Sequence, residues 1–210
     1  MIISHKHKFI FIAIPKTATH AIRIAVRPWL DKQDEEQVHL FVNKELPYEE
    51  IAKYQHGHIK CKEIKPLLSE EVWNTYFKFA IVRNPYDRFV SYCAFKYREN
   101  PDFAKNPQPY LYQALLNKKN HKQILFIPQT EFLYDDSNIS LINYAGRYEN
   151  LQASYDSVCE SVNLPKSLLE TVNSSEHKPY KEYYNDELKE MVYNFYEKDF
   201  LHFGYPKDLL

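Results

Sequence analysis

The chain has 210 residues, a formal net charge of −1 and an apolar content of 44%. This length suits one domain with a sizeable hydrophobic core, and we expect a single domain over residues 1–210. The balanced charge excludes a strongly basic nucleic-acid or membrane-surface binder, so any anion site must be local. Only three glycines are present, which excludes a glycine-rich phosphate loop and disfavours a standard ATPase, kinase or Rossmann dehydrogenase.

The spacing of the cysteines and the hydropathy of the chain indicate the cellular compartment of the protein. Cys61, Cys93 and Cys159 are far apart and form no C-x-x-C pair, so they predict buried thiols rather than a zinc or redox centre. No apolar stretch approaches the roughly 20 residues of a transmembrane helix. The first apolar run leads directly into Pro15 and Lys16, unlike a signal peptide. We therefore expect a soluble cytoplasmic protein.

The first strong pattern is a continuous apolar run over residues 9–14, which predicts a strand buried on both faces. Pro15 ends this run, and from Thr19 apolar residues fall at helical spacing until Pro28. Three weaker patterns follow: a strand over 38–42, a helix over 48–54 and a helix start at Ser69.

The run 77–82 repeats the buried-strand pattern, and Asn84-Pro85 then forces a turn or extended conformation. Asp87 is expected to open a helix that runs to about Tyr97. Strands that alternate with helices favour an α/β fold with a mainly parallel sheet. The remaining patterns are a proline-rich loop over 100–109 (a candidate flexible lid), short apolar runs over 124–127 and 139–144, a helix over 151–162, and a last helix capped by Asn185 that runs to about Lys198.

The turn after the first buried strand has the features of an anion site. Lys16 lies just beyond the strand end, where parallel sheets place ligands. The N–H groups that open the next helix carry a partial positive charge, and Thr17 and Thr19 add hydroxyl donors. A lysine here is a mobile charge for a phosphate or a bridging oxygen. An ordinary surface turn is the alternative, and both interpretations stay open.

The second buried strand is followed by Arg83, whose planar guanidinium can bind a phosphate bidentately. Ser91, eight residues later and about one turn into the next helix, is a further donor. Arg88 is a weaker candidate because the helix is expected to turn it outward. The alternative is that Arg83 pairs with Asp87 as a structural clamp. Two such loops together favour a ligand with two separated anionic groups.

These segments resemble the sulfotransferases that use 3′-phosphoadenosine 5′-phosphosulfate (PAPS), in particular the carbohydrate-type, family 2-like branch with the uronyl and heparan 2-O-sulfotransferases. Residues 14–19, Ile-Pro-Lys-Thr-Ala-Thr, are similar to the 5′-phosphosulfate loop, and residues 82–91 to the 3′-phosphate motif. Residues 146–151 look like the Arg-x-Glu-Asn-Leu segment of this branch, and 177–180 and 199–205 fit its C-terminal pattern. The likeness spans nearly the whole chain.

The resemblance implies a P-loop-like three-layer sandwich with a mainly parallel central sheet flanked by helices. It also implies transfer of a sulfuryl group from PAPS to an acceptor hydroxyl, most plausibly of a saccharide, without a metal. Adenosine 3′,5′-bisphosphate (PAP) is the second product. His20 and Ala21 depart from the family pattern, where many relatives have Thr or Ser. The implied cofactor contacts are Lys16, Thr17, Ala18, Thr19 and His20 at the 5′ end, and Arg83 and Ser91 at the 3′-phosphate; Lys16 also stabilises the leaving group.

A base for the acceptor hydroxyl is predicted in residues 55–58, Gln-His-Gly-His, since histidine titrates near neutral pH. This segment resembles the His-Gly-His of the uronyl 2-O-sulfotransferases, whose second histidine is the base, which favours His58 over His56. His20 is the next candidate. The alternatives are two surface histidines or a metal pair, although the spacing indicates no further ligand. Arg147 and Lys178 are weaker cofactor candidates, equally suited to salt bridges.

Two other functions remain open from the sequence. One is a nucleotide kinase-like phosphotransferase, against which the missing glycine-rich loop counts. The other is a non-catalytic nucleotide-binding protein on the same fold. The 18 Tyr and 13 Phe residues suit an aromatic core and also a cleft wall that stacks on a sugar or a purine. Neither the acceptor nor the oligomeric state follows from the sequence.

Overall fold

The computed structural model describes residues 1–40, 42–170 and 178–208. The chain divides into two compact units, which are described one at a time. The first comprises Met1–Val82 and Glu131–Val172, and the second comprises Arg83–Thr130 and Asn173–Leu210. This division does not test the expected single domain over residues 1–210, which stays a prediction.

Seven strands are assigned within the described residues, five of them in one sheet. Their bounds are β1 (Ile2–Ser4), β2 (Phe9–Ile12), β3 (Glu35–Glu36), β4 (Val38–Leu40), β5 (Val42–Lys44), β6 (Phe77–Val82) and β7 (Tyr144–Arg147). The five-stranded sheet has the order β3-β1-β2-β6-β7. β6 runs parallel to both β2 and β7, while β1 pairs antiparallel with β2 and β3. The predicted α/β class is confirmed, with three neighbouring parallel strands; the P-loop-like three-layer sandwich stays a prediction.

The helices within the described residues range from one turn to five turns. Their bounds are α1 (Thr19–Val26), α2 (Glu49–Ala52), α3 (Cys61–Ile64), α4 (Glu70–Thr75), α5 (Pro85–Lys96), α6 (Pro101–Lys105), α7 (Gln108–Leu116), α8 (Thr130–Leu133), α9 (Leu151–Val162) and α10 (Asp186–Phe203). None of these helices combines the length and the apolar composition needed to cross a bilayer. The predicted helix over 151–162 is confirmed by α9.

The sheet core of the first unit is built from the two predicted buried strands. All four residues of β2 are buried, as are five of the six in β6. Side chains alternate along a strand, so Phe9, Phe11 and Phe79 share one face. Phe11 and Phe79 stack at 5.0 Å between ring centroids, and this face packs with residues of α1 and α9. Burying such a side chain contributes about 1.5–3 kcal/mol, which explains why these strands form the centre of the sheet.

The second unit has an aromatic core. Tyr86, Phe89, Phe126, Tyr196 and Phe200 are all at most 2% exposed. Tyr86 and Phe200 lie 4.7 Å apart between ring centroids, and Phe89 meets Phe126 edge-on at 6.1 Å. Some of the abundant aromatic residues therefore form a packed core, which is one of the two roles that the sequence suggested for them.

Helix boundaries follow the capping residues. The Asn84 side chain accepts a hydrogen bond from the Tyr86 N–H at 2.9 Å, so α5 begins at Pro85 and not at the expected Asp87. Proline suits the first helical position because its missing N–H has no intrahelical partner there. Asn185 caps α10 as predicted, but the helix continues to Phe203, five residues beyond the expected end.

Two predicted elements are wrong. Residues 100–109 are not a lid loop, since they form α6 and the start of α7. The Asn100 side chain caps the Asp102 N–H at 2.9 Å, and Pro101 occupies the first turn, so these residues start a helix instead of breaking one. Residues 38–42 are not one strand either: β4 and β5 pair antiparallel with each other, and Phe41 lies outside the described residues.

We predict that Gly146→Ala destabilises the first unit by about 1–3 kcal/mol, because β7 packs tightly here. An added Cβ would lie 2.8 Å from both Ile81 Cδ1 and Ser154 Cβ. Urea unfolding measures the loss. Ala153→Ser, at an exposed position of α9, is the control and is expected to stay within about 0.5 kcal/mol of the parent. Equal stability of Gly146→Ala and the parent would contradict this tight packing.

Candidate functional site

The turn after β2 is sharp although it contains no glycine. Lys16 has φ 68° and Ala18 has φ 61°, so both adopt the left-handed conformation. This conformation costs an L-residue roughly 1–2 kcal/mol, and such strain persists where the surrounding structure imposes it. Turns of this kind gather successive backbone N–H groups into an anion-binding nest. The conformation therefore supports the anion-site interpretation over an ordinary surface turn.

The N-terminus of α1 has no side-chain acceptor of its own. Ala18 is the N-cap residue and forms no side-chain cap hydrogen bond, and no acidic residue lies in the first turn. The partial positive charge of this helix end is thus not offset by a carboxylate, which suits an external anion. The Thr17 hydroxyl donates to the Ile14 carbonyl at 2.9 Å and is fully buried. Its single proton is used inside the loop, so the hydroxyl donor that the sequence predicted at Thr17 is already engaged.

Arg83 follows β6 directly and is 7% exposed. Its Nε donates to Asp87 Oδ2 at 2.7 Å, so the clamp considered as an alternative is present. This ion pair orients the guanidinium, whose five N–H donors can serve an anion in addition to one carboxylate oxygen. The clamp and a phosphate contact are therefore compatible.

Ser91 and Arg88 both lie on the buried side of α5, at 2% exposure each. Because α5 begins at Pro85, Ser91 lies almost two turns into the helix and not one. Its hydroxyl forms no hydrogen bond within the described part of the chain, which suits a group reserved for a ligand. The outward orientation expected of Arg88 is wrong: its Nη1 donates to the Ile127 carbonyl at 3.0 Å, and burial lowers its pKa.

The His-Gly-His segment is held by hydrogen bonds from Arg23, in the second turn of α1. Arg23 Nη2 donates to the carbonyls of Gln37 at 3.1 Å and Gly57 at 3.4 Å. A Cβ on Gly57 would overlap the Gln37 carbonyl oxygen and the Arg23 guanidinium. Only glycine allows this close approach, and this explains why a glycine separates the two histidines.

His58 reaches the strand end that leads into the Lys16 loop. Its Nδ1 lies 2.7 Å from the carbonyl oxygen of Ala13, the residue directly after β2. A carbonyl only accepts, so Nδ1 carries the proton and Nε2 presents a lone pair. Burial lowers the pKa of His58 to about 3; the Ala13 hydrogen bond opposes this shift, and the charge of Arg23 adds to it. The ring is therefore a neutral acceptor at physiological pH, held near the candidate anion loop.

His56 and His20 have different surroundings. The His56 ring stacks on Tyr54 at 5.5 Å between centroids and lies 6.1 Å from the His58 ring. Burial lowers its pKa. His20, the second residue of α1, is half-buried, and burial, with Arg23 and Arg27, lowers its pKa. The His56 Nδ1 accepts a hydrogen bond from the backbone N–H of His58 at 3.3 Å, whereas the His58 ring is hydrogen-bonded to the end of β2.

A comparison with protein families decides the class. Residues 1–206 match the model described as the sulfotransferase family, of the family 2 type. The chain belongs to the sulfotransferase family. The predicted resemblance is thereby confirmed, and the family supports sulfuryl transfer, generally with PAPS as donor. Neither the curated proteins nor the solved structures contain a match to this chain.

The weaker candidates of this sulfotransferase keep their predicted status. The backbone N–H and carbonyl of Arg147 both pair with Ser154 Oγ, at 2.8 and 3.0 Å, which fixes the backbone at the end of β7. Lys178 is exposed and donates its N–H to Tyr183 Oη at 3.2 Å. Their cofactor roles stay predictions, and His177 of the 177–180 segment lies outside the described residues.

Sequence reasoning missed two buried residues of the sulfotransferase that contact the Arg83 region, Gln129 and Asp199. The Gln129 side chain binds the backbone of Arg83, and Asp199 holds Gln129. The one signal for Asp199 was its place at the start of the segment 199–205, which resembles the C-terminal pattern of the family; no pattern marked Gln129. Among the described residues there is no group of three or more His, Cys, Asp or Glu side chains that could hold a metal.

We predict that His58→Asn reduces the loss of stability in acid. Below about pH 6.5 the unfolded chain binds a proton at His58, whereas the folded protein, with a His58 pKa of about 3, does not. Stability therefore falls as the pH drops through this window, by up to about 1.4 kcal/mol per pH unit for this group. Urea unfolding at pH 7.5 and pH 5.0 measures the change. Equal acid losses in the parent and in His58→Asn would contradict the lowered pKa.

Proposed function

We propose that this sulfotransferase moves a sulfuryl group from PAPS to a hydroxyl of a saccharide, with His58 as the base. The observation that carries the proposal is the 2.7 Å hydrogen bond from His58 Nδ1 to the carbonyl of Ala13, three residues before Lys16. It supports a neutral base beside a loop suited to an anion. A cytoplasmic location and the absence of a metal requirement stay predictions.

For the donor, we assign the 5′ end of PAPS to the loop and first turn of α1. Lys16 supplies the charge, and residues 17–20 supply backbone N–H groups at a helix N-terminus without a capping side chain. The 3′-phosphate is assigned to the Arg83 guanidinium and the Ser91 hydroxyl. β2 and β6, the strands that precede the two loops, are parallel neighbours, and the carboxyl ends of such strands lie at the same sheet edge.

The proposed reaction requires a base for the acceptor hydroxyl and a positive charge beside the leaving oxygen. PAPS, when bound, supplies the sulfuryl group; a bond forms from the acceptor oxygen to sulfur while the bond from sulfur to the 5′-phosphate oxygen breaks. His58 Nε2 takes the proton of the acceptor hydroxyl. Lys16 stabilises the negative charge that grows on the leaving phosphate oxygen. The products are a sulfate ester and PAP.

The saccharide acceptor is supported by the rings that lead to His58. Tyr54, His56 and His58 form a row with centroid separations of 5.5 and 6.1 Å. Because these rings face one another, a sugar meets the outer face of Tyr54 and the polar edges of the two imidazoles. We propose that the acceptor enters along this row, with the reacting hydroxyl at His58.

We predict that PAP stabilises the protein without a metal, by about 2.7 kcal/mol at a hundredfold excess over its Kd. Thermal denaturation with PAP, with ATP and Mg²⁺, and with neither measures this. A shift only with ATP and Mg²⁺ would indicate a kinase-like phosphotransferase and contradict the assignment. A PAP shift without transfer to any saccharide acceptor would favour a non-catalytic nucleotide-binding protein.

We predict that Ser91→Ala weakens PAP binding by roughly tenfold to a hundredfold, because a charge-assisted hydrogen bond to the 3′-phosphate is lost. Arg83→Lys weakens it further, since lysine lacks the planar fork. Ser157→Ala is the matched control on the exposed side of α9 and leaves affinity unchanged. Isothermal titration measures the three affinities. Parent affinity in both Ser91→Ala and Arg83→Lys would remove the 3′-phosphate assignment.

We predict that His58→Ala keeps PAP affinity and lowers the transfer rate by about 10²–10⁴, the usual contribution of a general base. His56→Ala is the comparison variant: as a ring of the proposed acceptor row it raises the KM for the acceptor, but it retains most of kcat. Lys16→Ala lowers kcat more than PAPS affinity, because its charge acts mainly on the leaving group. A radiolabelled sulfate-transfer assay measures kcat and the KM for PAPS in each variant. Loss of transfer in His56→Ala with an active His58→Ala would assign the base to the other histidine.

A further inference from the structure

The carboxylate of Asp199 is buried among hydrogen-bond donors. Asp199 has no exposed surface, and it accepts hydrogen bonds from the N–H groups of Gln129 at 2.8 Å and Thr130 at 2.9 Å. The Thr130 hydroxyl and the Gln129 amide nitrogen add two more, at 3.0 and 3.3 Å. Each carboxylate oxygen thus faces two donors, the arrangement that satisfies an ionised and acceptor-only group.

The Gln129 amide in turn binds both polar backbone groups of Arg83. Its Oε1 accepts from the Arg83 N–H at 2.9 Å, and its Nε2 donates to the Arg83 carbonyl at 2.8 Å. This is the pairing that a neighbouring β-strand would supply. It acts on the residue that directly follows β6, where the chain leaves the sheet. The peptide from which the Arg83 side chain projects is therefore held on both sides of its Cα.

Asp199 decides which way the Gln129 amide faces. The two ends of a glutamine amide are nearly equal in shape, and only their hydrogen-bond partners distinguish them. Nε2 donates to both the Asp199 carboxylate and the Arg83 carbonyl. In a flipped amide, the Gln129 carbonyl oxygen would face these two oxygens with no hydrogen between them. A flip would also bring the amide hydrogens against the Arg83 N–H. The buried carboxylate thereby selects the one orientation that pairs with the Arg83 backbone.

Two other buried side chains hold the same segment without contacting Gln129 through a hydrogen bond. Tyr196 donates its hydroxyl to the Phe126 carbonyl at 2.7 Å, and Arg88 donates to the Ile127 carbonyl at 3.0 Å. These contacts stabilise residues 126–130 as a structural unit. Gln129 connects that segment to the Arg83 backbone by two hydrogen bonds, and neither Tyr196 nor Arg88 takes part in them. A positional role for Gln129 is thus separable from a structural role of the segment.

We propose that Gln129, oriented by Asp199, is a positioning residue that sets the Arg83 guanidinium for the 3′-phosphate of the donor. This inference rests on the proposed function and adds a residue to it. The side chain of Gln129 makes no bond or charge change during the reaction. Its effect reaches the nucleotide through the backbone at Arg83 and is read in binding and not in the chemical step.

The experiment compares Gln129→Met with Tyr196→Phe by titration with PAP and by steady-state kinetics with PAPS. Gln129→Met has nearly the same shape but cannot pair with Arg83, and we expect roughly tenfold weaker PAP binding with a similar rise in the KM for PAPS. The kcat stays within about twofold of the parent, because the base and the leaving-group contact are unchanged. Tyr196→Phe removes one buried hydrogen bond of the same segment, lowers the melting temperature, and leaves PAP affinity unchanged.

A second variant and a second measurement keep the test decisive if Gln129→Met does not fold. Gln129→Asn retains the amide but is one methylene too short to reach both partners, and we expect the same loss of PAP affinity to a smaller extent. Amide hydrogen exchange at Arg83 becomes faster in either Gln129 variant and not in Tyr196→Phe. Parent-like PAP affinity in folded Gln129 variants would overturn this inference alone. A parent protein that does not bind PAP would overturn the proposed function as well.

Discussion

The parallel pairing of β2 with β6 is the constraint on which the rest of the account depends. Both strands are almost wholly apolar and buried on two faces, so they take central positions, with Ile12 opposite Ala80. The same pairing fixes the direction of the chain as it leaves each strand. One exit leads to Lys16 and the other to Arg83, the two residues around which the sequence predicts anion sites. The burial of these two apolar strands thus determines where the chain turns toward Lys16 and Arg83.

The same strand end also positions His58, the proposed base. Its bond to Ala13 fixes the ring tautomer, while Arg23 and Gly57 fix the loop that carries it. Desolvation keeps the ring neutral down to about pH 3, so it is a proton acceptor across the physiological range.

The sequence predicted what depends on local pattern. The strands 9–14 and 77–82, the helix 151–162 and the caps Ser69 and Asn185 follow from apolar runs and capping chemistry, and the structure agrees. The failure at 100–109 is local: Asn100 caps the N–H of Asp102 and Pro101 occupies the first turn, a helix-start signal that the loop interpretation overlooked. The antiparallel strand β1, which pairs with β2 and β3, was not predicted.

Some residues of the candidate site were likewise predictable from local sequence patterns, and others were not. Lys16, His58 and Arg83 were found because motif and resemblance mark them. The engaged hydroxyl of Thr17, the buried Arg88 and the pair of Gln129 with Asp199, about 70 residues apart in sequence, are visible only once the chain is folded. The most direct measurement of the central claim is a crystal structure with bound PAP. The account predicts the 5′-phosphate within hydrogen-bond distance of Lys16 and the N–H groups of residues 17–20, and the 3′-phosphate on Arg83 and Ser91. A nucleotide that contacts only one of the two loops, or neither, would contradict it.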